Sequence, residues 1–283
     1  MKTRKNKRLV TECGEVKDLL AEHYHNVFQE LVISTNLSNL HATLCNYQGF
    51  EYRVHGFPKL FKSSLVNEMV PLDKGPINVG LQEFTSICME HCGESLRSCY
   101  KKLTIKQIIS VVYQVLLSLA AAEATFEYEH RDLHLGNIMV RSTKNPTVHF
   151  VVASREYKVD TEGKRAFIID NTFARMRIGS HHYYTNLTDR LATLARDAKN
   201  PNKVQSDQDK IYVGMYYSAC GNWAKWMPRT NLEWMSFIIH RFLKNVQLNK
   251  DGDDRFAAEL EALHHQIKSC KTLKSVLNSI DKK

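Results

Sequence analysis

The stretch Glu129-His130-Arg131-Asp132-Leu133-His134-Leu135-Gly136-Asn137-Ile138-Met139-Val140 constrains this chain more than any other. It sets a carboxylate, Asp132, behind His130-Arg131, then an amide, Asn137, just before the chain turns apolar. Further on, Phe167-Ile168-Ile169 leads into a second carboxylate, Asp170. Taken singly, each would serve as a turn or helix-cap residue, because short polar side chains favour those positions. Their joint order asks for more. One carboxylate is suited to accepting a proton, and an amide oxygen with a second carboxylate is suited to a hard divalent cation.

That is the layout of a phosphoryl-transfer site in a protein-kinase-like fold. Such chemistry needs positioning and charge neutralisation more than covalent help. It predicts an α+β, two-lobed fold with a truncated N-lobe and a mainly helical C-lobe. Residues 1–91 would form the partial N-lobe and hinge, and residues 92–283 the C-lobe. Asp132 is the expected base, with Asn137 and Asp170 holding magnesium on the phosphates of ATP. His134 stands where ordinary protein kinases carry Lys and would contact the transferred group. An imidazole is charged there only when protonated, with an ordinary pKa of about 6.5.

The D-L-H-x-G-N form occurs in haspin-type protein kinases and in small-molecule phosphotransferases resembling aminoglycoside and choline kinases. Other stretches resemble haspin. Asp170-Asn171-Thr172 is similar to its D-Y-T, and Glu30-Leu31-Val32-Ile33-Ser34 to the E-I-I-I-S of its C helix. Gly56-Phe57-Pro58-Lys59-Leu60 precedes the hinge, and Ala120-Ala121-Ala122-Glu123-Ala124 precedes the catalytic loop, as in that family. Asn222-Trp223, Pro228 and Asn231-Leu232-Glu233-Trp234 fit its closing pattern, and A-P-E is missing from both. The resemblance implies a serine/threonine kinase using ATP and magnesium. Arg131 would serve the catalytic loop, and Glu30 with Lys7 would clamp the phosphates. Met89 would be the gatekeeper, Glu90-His91-Cys92 the hinge, and Ser95 would occupy the ribose-contact position. It further implies a protein substrate, a threonine near the start of the histone H-three tail in mitotic chromatin.

Two departures matter. No G-x-G-x-x-G occurs, so the chain reads as beginning partway through the N-lobe. Asn171 replaces an aromatic, and a buried amide without partners costs about 1–3 kcal/mol. These motivate a rival reading, a pseudokinase acting as an interaction module. A small-molecule phosphotransferase is a third.

With 283 residues and 43% apolar content, the chain can bury the core of one such domain. Its formal charge is +9, partly from Lys2, Arg4, Lys5, Lys7 and Arg8. That run could contact nucleic acid, though no nucleic-acid motif accompanies it. Seven cysteines without a C-x-x-C pair, and no signal peptide, predict a reduced nuclear or cytoplasmic protein. The spacing of Cys88, His91, Cys92 and Cys99 is not that of a zinc finger. The longest apolar stretch, Ile108 to Ala124, carries Ser110, Gln114, Ser118 and Glu123 and reads as a core helix, not a membrane span.

Periodicity predicts helices over 16–40, after the capping box Thr104-x-x-Gln107, from about Asp207, and around Phe256 to Ile267. Strands are expected at Glu51–His55 and Leu81–Met89, with a loop marked by Pro71, Asp73, Gly75 and Pro76. Residues 141–165 read as an insertion with scattered strands. Glu123, Glu127 and Glu129 would place negative charge near the cleft for a basic peptide. Asp209 is the candidate brace for the catalytic-loop backbone.

Overall fold

The computed structural model describes residues 13–42, 45–47, 49–71, 79–248 and 254–280. Helix α1 (Cys13–Ala42) buries Ile33, Leu37 and Leu40. After it come β1 (Cys45–Tyr47), β2 (Phe50–Tyr52), β3 (Leu60–Pro71) and β4 (Val79–Met89). Strands β1 and β2 pair antiparallel, as do β3 and β4. The long β3 is a strand that the punctuation at Pro71 did not reveal. The loop expected at Asp73, Gly75 and Pro76 lies outside the described residues.

A short connection leads to β5 (Glu94–Ser95), α2 (Leu96–Cys99) and α3 (Ile105–Phe126). Thr104 accepts from the Gln107 backbone N–H at 3.2 Å and Gln107 Oε1 accepts from the Thr104 N–H at 3.2 Å, so the predicted capping box starts α3. The helix is long and apolar enough to cross a membrane by length and composition, a greater reach than the sequence reading allowed. Its apolar character has another outlet. Ile108, Val112, Val115, Leu116 and Leu119 are all buried in the main core, each worth about 1.5–3 kcal/mol.

Strands β6 (Ile138–Ser142), β7 (Thr147–Val152), β8 (Arg155–Asp160) and β9 (Lys164–Ile168) follow. The insertion is therefore fully organised. β7 and β8 form a hairpin, while β9 returns to pair with β6 in the sheet β5-β6-β9. Next come β10 (Arg175–Ile178) and β11 (His181–Tyr184), an antiparallel pair. Helices α4 (Thr188–Asp197), α5 (Asp207–Ala219), α6 (Arg229–Leu248), α7 (Asp254–Ser269) and α8 (Leu273–Ile280) complete the α+β fold.

Candidate active site

Strand pairing explains how two distant segments meet. Ile138 is opposite Ile168 in the β6–β9 ladder, and the Ile169 N–H donates to Asn137 O at 2.9 Å. Asn137 and Asp170 thus emerge side by side from adjacent strands. Asn137 Nδ2 donates to the Asp132 carbonyl at 2.9 Å, which folds the loop back on itself. That bond uses the amide nitrogen and leaves its oxygen for another partner. His130 joins the segments from beneath. Its Nε2 contacts Ile169 O at 3.0 Å and its Nδ1 accepts the Asp132 N–H at 3.3 Å, the pattern of a neutral ring. Burial lowers the His130 pKa, which keeps it neutral.

The loop is held from behind by buried charge. Arg131 Nε and Nη2 reach the two Glu129 oxygens at 3.1 and 3.2 Å, and its other N–H groups bond Trp223 O at 2.9 Å and Lys225 O at 3.1 Å. Glu129 also accepts from Met227 N–H at 2.7 Å and Thr230 Oγ1 at 3.1 Å. Both residues are fully buried. Arg131 has φ +62° and Asp170 φ +69°, left-handed conformations that cost an L side chain energy and persist where the surroundings enforce them.

Asp132 faces the opening. His134 Nε2 lies 4.0 Å from its Oδ1, and the Tyr212 phenol from α5 donates a short hydrogen bond to the same oxygen. Burial raises the Asp132 pKa, while the phenol and His134 pull it down. Tyr212 lay within a stretch read only as a helix start. Nothing in the sequence marked its hydroxyl, because the contact joins residues far apart in the chain.

Glu30 sits across from Asp170. Thr172 Oγ1 donates to Asp170 Oδ1 at 2.6 Å and approaches Glu30 Oε2 at 3.3 Å. Burial, then the charge of Asp170, raises the Glu30 carboxyl to about 7. Its expected partner, Lys7, lies outside the described residues. Asn171 does not carry the cost anticipated for it. Tyr128 Oη donates to its oxygen at 2.8 Å, and its Nδ2 donates to Ser34 Oγ at 3.0 Å, so the amide links α1 to the segment that carries Asp170.

Above these lies a crevice lined by Glu30, Leu37, Phe57, Met89, Ile168 and Asp170. Met89 ends β4 opposite Leu60. Glu90 takes an ion pair with Arg141 at 2.9 Å, and its N–H donates to Lys59 O at 2.8 Å. Burial alone would raise its pKa, but the Lys59 N–H and Arg141 overcome this and hold it below the usual range. Cys92 is buried, donates to Glu90 O at 3.2 Å, and has its thiol pushed up to about 12 by burial. Gly93 has φ +88°, and a Cβ there would lie 2.2 Å from Val140 O, so only glycine passes. Ser95 occupies the position just before the short α2, and its hydroxyl donates to Ser98 Oγ at 3.3 Å without bonding a helix N–H.

Two sequence expectations are corrected. Asp209 does not brace the loop: its Oδ2 accepts from Ser206 N–H at 3.0 Å and Ser206 Oγ at 2.7 Å, capping α5. Asn231 does the bracing instead, with Oδ1 accepting the His130 N–H. The three glutamates do not charge the cleft. Glu123 is buried against Asn231 and Leu273, Glu129 holds Arg131, and Glu127 holds Arg175 and Arg177.

An amide oxygen beside a carboxylate suits a hard cation such as magnesium, and the apolar crevice suits a purine, so the residues present fit both groups. A family model, the haspin-like kinase domain, matches residues 54–283. A serine/threonine-protein kinase haspin homologue of Drosophila melanogaster is 25% identical over 241 residues, covering 79% of this chain and 40% of that protein. An Arabidopsis thaliana homologue is 26% identical over 197 residues, covering 70% and 31%. Serine/threonine-protein kinase haspin of Bos taurus is 26% identical over 241 residues, covering 79% and 29%. The chain spans well under half the length of these relatives.

Proposed function

Because this chain belongs to the family of haspin-like kinase domains, we propose that it transfers the γ-phosphate of ATP to a serine or threonine hydroxyl of a protein. The observation that carries the reading is the β6–β9 pairing, which sets Asn137 beside Asp170 with Asp132 folded back onto the Asn137 side chain. In this reading Asp132 accepts the hydroxyl proton, and Asn137 and Asp170 would hold magnesium, which when bound neutralises phosphate charge. His134 stands close enough to Asp132 to meet the acceptor. The crevice walls Met89, Leu37 and Phe57 would hold the adenine, with the backbone of Glu90 and Cys92 as hinge and Ser95 near the ribose. Residues 1–91 and 92–283 would be the two lobes, acting in the nucleus or cytoplasm.

The family implies a histone H-three tail threonine in mitotic chromatin as one acceptor to test. Radiolabelled phosphate transfer to histone tail peptides, compared for wild type, Asp132→Asn and Asp170→Ala, tests the assignment. Transfer that survives both changes overturns it.

A second reading, an interaction module with little turnover, draws on Glu30. Its carboxylate meets Thr172 and Asp170, and no lysine pairs with it among the described residues. A thermal melt with magnesium-ATP separates the two. A nucleotide-dependent rise in Tm favours the kinase, and none at millimolar nucleotide favours the module.

A further inference from the structure

We propose an anion site separate from the crevice, where Arg141, Arg165 and Lys59 take the phosphate of a phosphoserine or phosphothreonine side chain in a protein segment. It does not rest on the kinase reading, and it uses none of Asp132, Asn137 and Asp170.

The first observation is a repulsion. Arg141 on β6 stands directly opposite Arg165 on β9. Like charges facing one another across a ladder destabilise it. Both guanidinium groups also pack on one ring, Phe167, at 4.9 and 5.7 Å from its centre. Arg165 lies three residues before Ile168, whose side chain lines the crevice. That odd offset turns the arginine pair to the other face of the sheet.

The surroundings add positive charge to the pair. Arg165 Nη2 donates to His55 O at 3.2 Å, and the His55 ring meets the His41 ring edge-on, with centroids 4.5 Å apart. The Arg165 Nε–H is buried and has no hydrogen-bond partner. Burial lowers the His55 pKa to about 4, and His41, Arg165, Arg53 and Lys59 push in the same direction. Burial, then Arg141, likewise lowers that of Arg165. Glu90 is the carboxylate that opposes them, paired with Arg141 at 2.9 Å and accepting the Lys59 backbone N–H at 3.3 Å. Lys59 is exposed and the two arginines are half-buried, so the spot opens to solvent.

The surplus selects the occupant. A phosphorylated side chain carries a charge of about −1.5 to −2 and three acceptor oxygens, which suits paired guanidinium groups better than the single charge of a carboxylate. The cations gather at one place around Phe167. A nucleic-acid backbone asks instead for cations strung along successive phosphates. A phosphate on a protein side chain is the occupant that fits.

The test is isothermal titration with four probes: a phosphoserine peptide of otherwise neutral sequence, its unphosphorylated form, inorganic phosphate, and a single-stranded oligonucleotide. The phosphopeptide is expected to bind at least about tenfold more tightly than the unphosphorylated peptide or the oligonucleotide, and more tightly than inorganic phosphate. Arg165→Gln is expected to weaken it by about tenfold or more, and Lys59→Gln by about threefold or more. Lys59 is exposed, so its variant should melt as wild type does. Asp170→Ala, which alters the crevice, is expected to leave the affinity unchanged. By NMR the His55 ring, assigned by its loss in His55→Gln, should titrate at higher pH with the phosphopeptide bound, because an anion offsets the cations around it. Failure of the phosphopeptide to bind overturns the proposal, as does binding that survives both Arg165→Gln and Lys59→Gln. Loss of binding in Asp170→Ala also overturns it, by putting the phosphate in the crevice. Equal affinity for inorganic phosphate overturns the protein source, and tighter binding of the oligonucleotide overturns it in favour of nucleic acid. Phosphate transfer is scored separately, so an inactive protein that still binds the phosphopeptide counts against the kinase reading alone.

Discussion

Asn231 Oδ1 accepts the backbone N–H of His130 at 3.2 Å, joining α6 to the loop that carries Asp132. The amide's other end donates to Tyr128 O at 2.8 Å and Glu123 Oε2 at 3.1 Å, and the whole side chain is buried. Replacing it strands several polar groups out of water. Asn231→Leu is expected to lower unfolding free energy by about 2–3 kcal/mol or more, since each orphaned buried group costs about 1–3 kcal/mol. Urea denaturation measures this. A change within about 0.5 kcal/mol, the range of an ordinary surface substitution, would show that the loop does not depend on this amide.

The Glu129–Arg131 pair predicts a strongly non-additive double-mutant cycle. Arg131→Met leaves a carboxylate buried without its cation and should cost about 3–5 kcal/mol. Adding Glu129→Gln removes the stranded charge, so the double variant should be more stable than the sum of the singles. Additive losses would mean that the two side chains are not coupled.

Tyr212→Phe tests the phenol on Asp132. The hydrogen bond favours the ionised carboxylate and pulls its pKa down against the rise caused by burial. Without it, the carboxylate ionises only at higher pH. The acidic limb of kcat/KM for phosphate transfer is expected to move to higher pH, with the alkaline side less affected. A pH–rate profile identical to wild type would remove Tyr212 from any part in tuning Asp132.

Glu30 gives a pH-dependent stability term of known sign. Its carboxyl is raised from 4.5 to about 7 in the fold, mainly by burial. The folded state therefore binds the proton more tightly than the unfolded chain. The resulting stability is fully present below pH 4.5 and is lost as pH rises through 7. The stability of wild type relative to Glu30→Gln should fall between pH 4.5 and pH 8, by at most about 3 kcal/mol. Burial acts oppositely on His55 and His264, lowered to about 4, whose contributions are lost as pH falls from 6.5. Comparing denaturation curves at pH 5 and pH 8 for both proteins isolates the Glu30 part. A constant difference would contradict it.

What the sequence made legible was local or carried by motif. The Thr104–Gln107 cap and the apolar periodicity of α3 depend on neighbours a turn or so apart, and both appear as read. Asp132, Asn137 and Asp170 could be singled out because oxygen-bearing side chains recur there in a fixed order. Asp209 misled because a helix cap and a tertiary brace use the same residue type, and the cap won through nearby Ser206. Glu123, Glu127 and Glu129 misled because charge read along a chain does not reveal which cation a side chain meets after folding. Tyr212 and Asn231 lay in stretches already noticed, yet their partners are far away in sequence. The strand β3 escaped because its pairing with β4 sets its length, and composition alone did not.

The segment around Arg53–Gly56 has obligations in three directions. Arg53 bridges Val151 of the β7–β8 hairpin, Val54 N–H donates to Leu40 O of α1, and Gly56 O receives Ile168 N–H from the strand that delivers Asp170. The hairpin is thus a strut, not a decoration. Shortening the chain between β6 and β9 would loosen the seam through which the first helix keeps its distance from those two strands, and damage would register far from the cut.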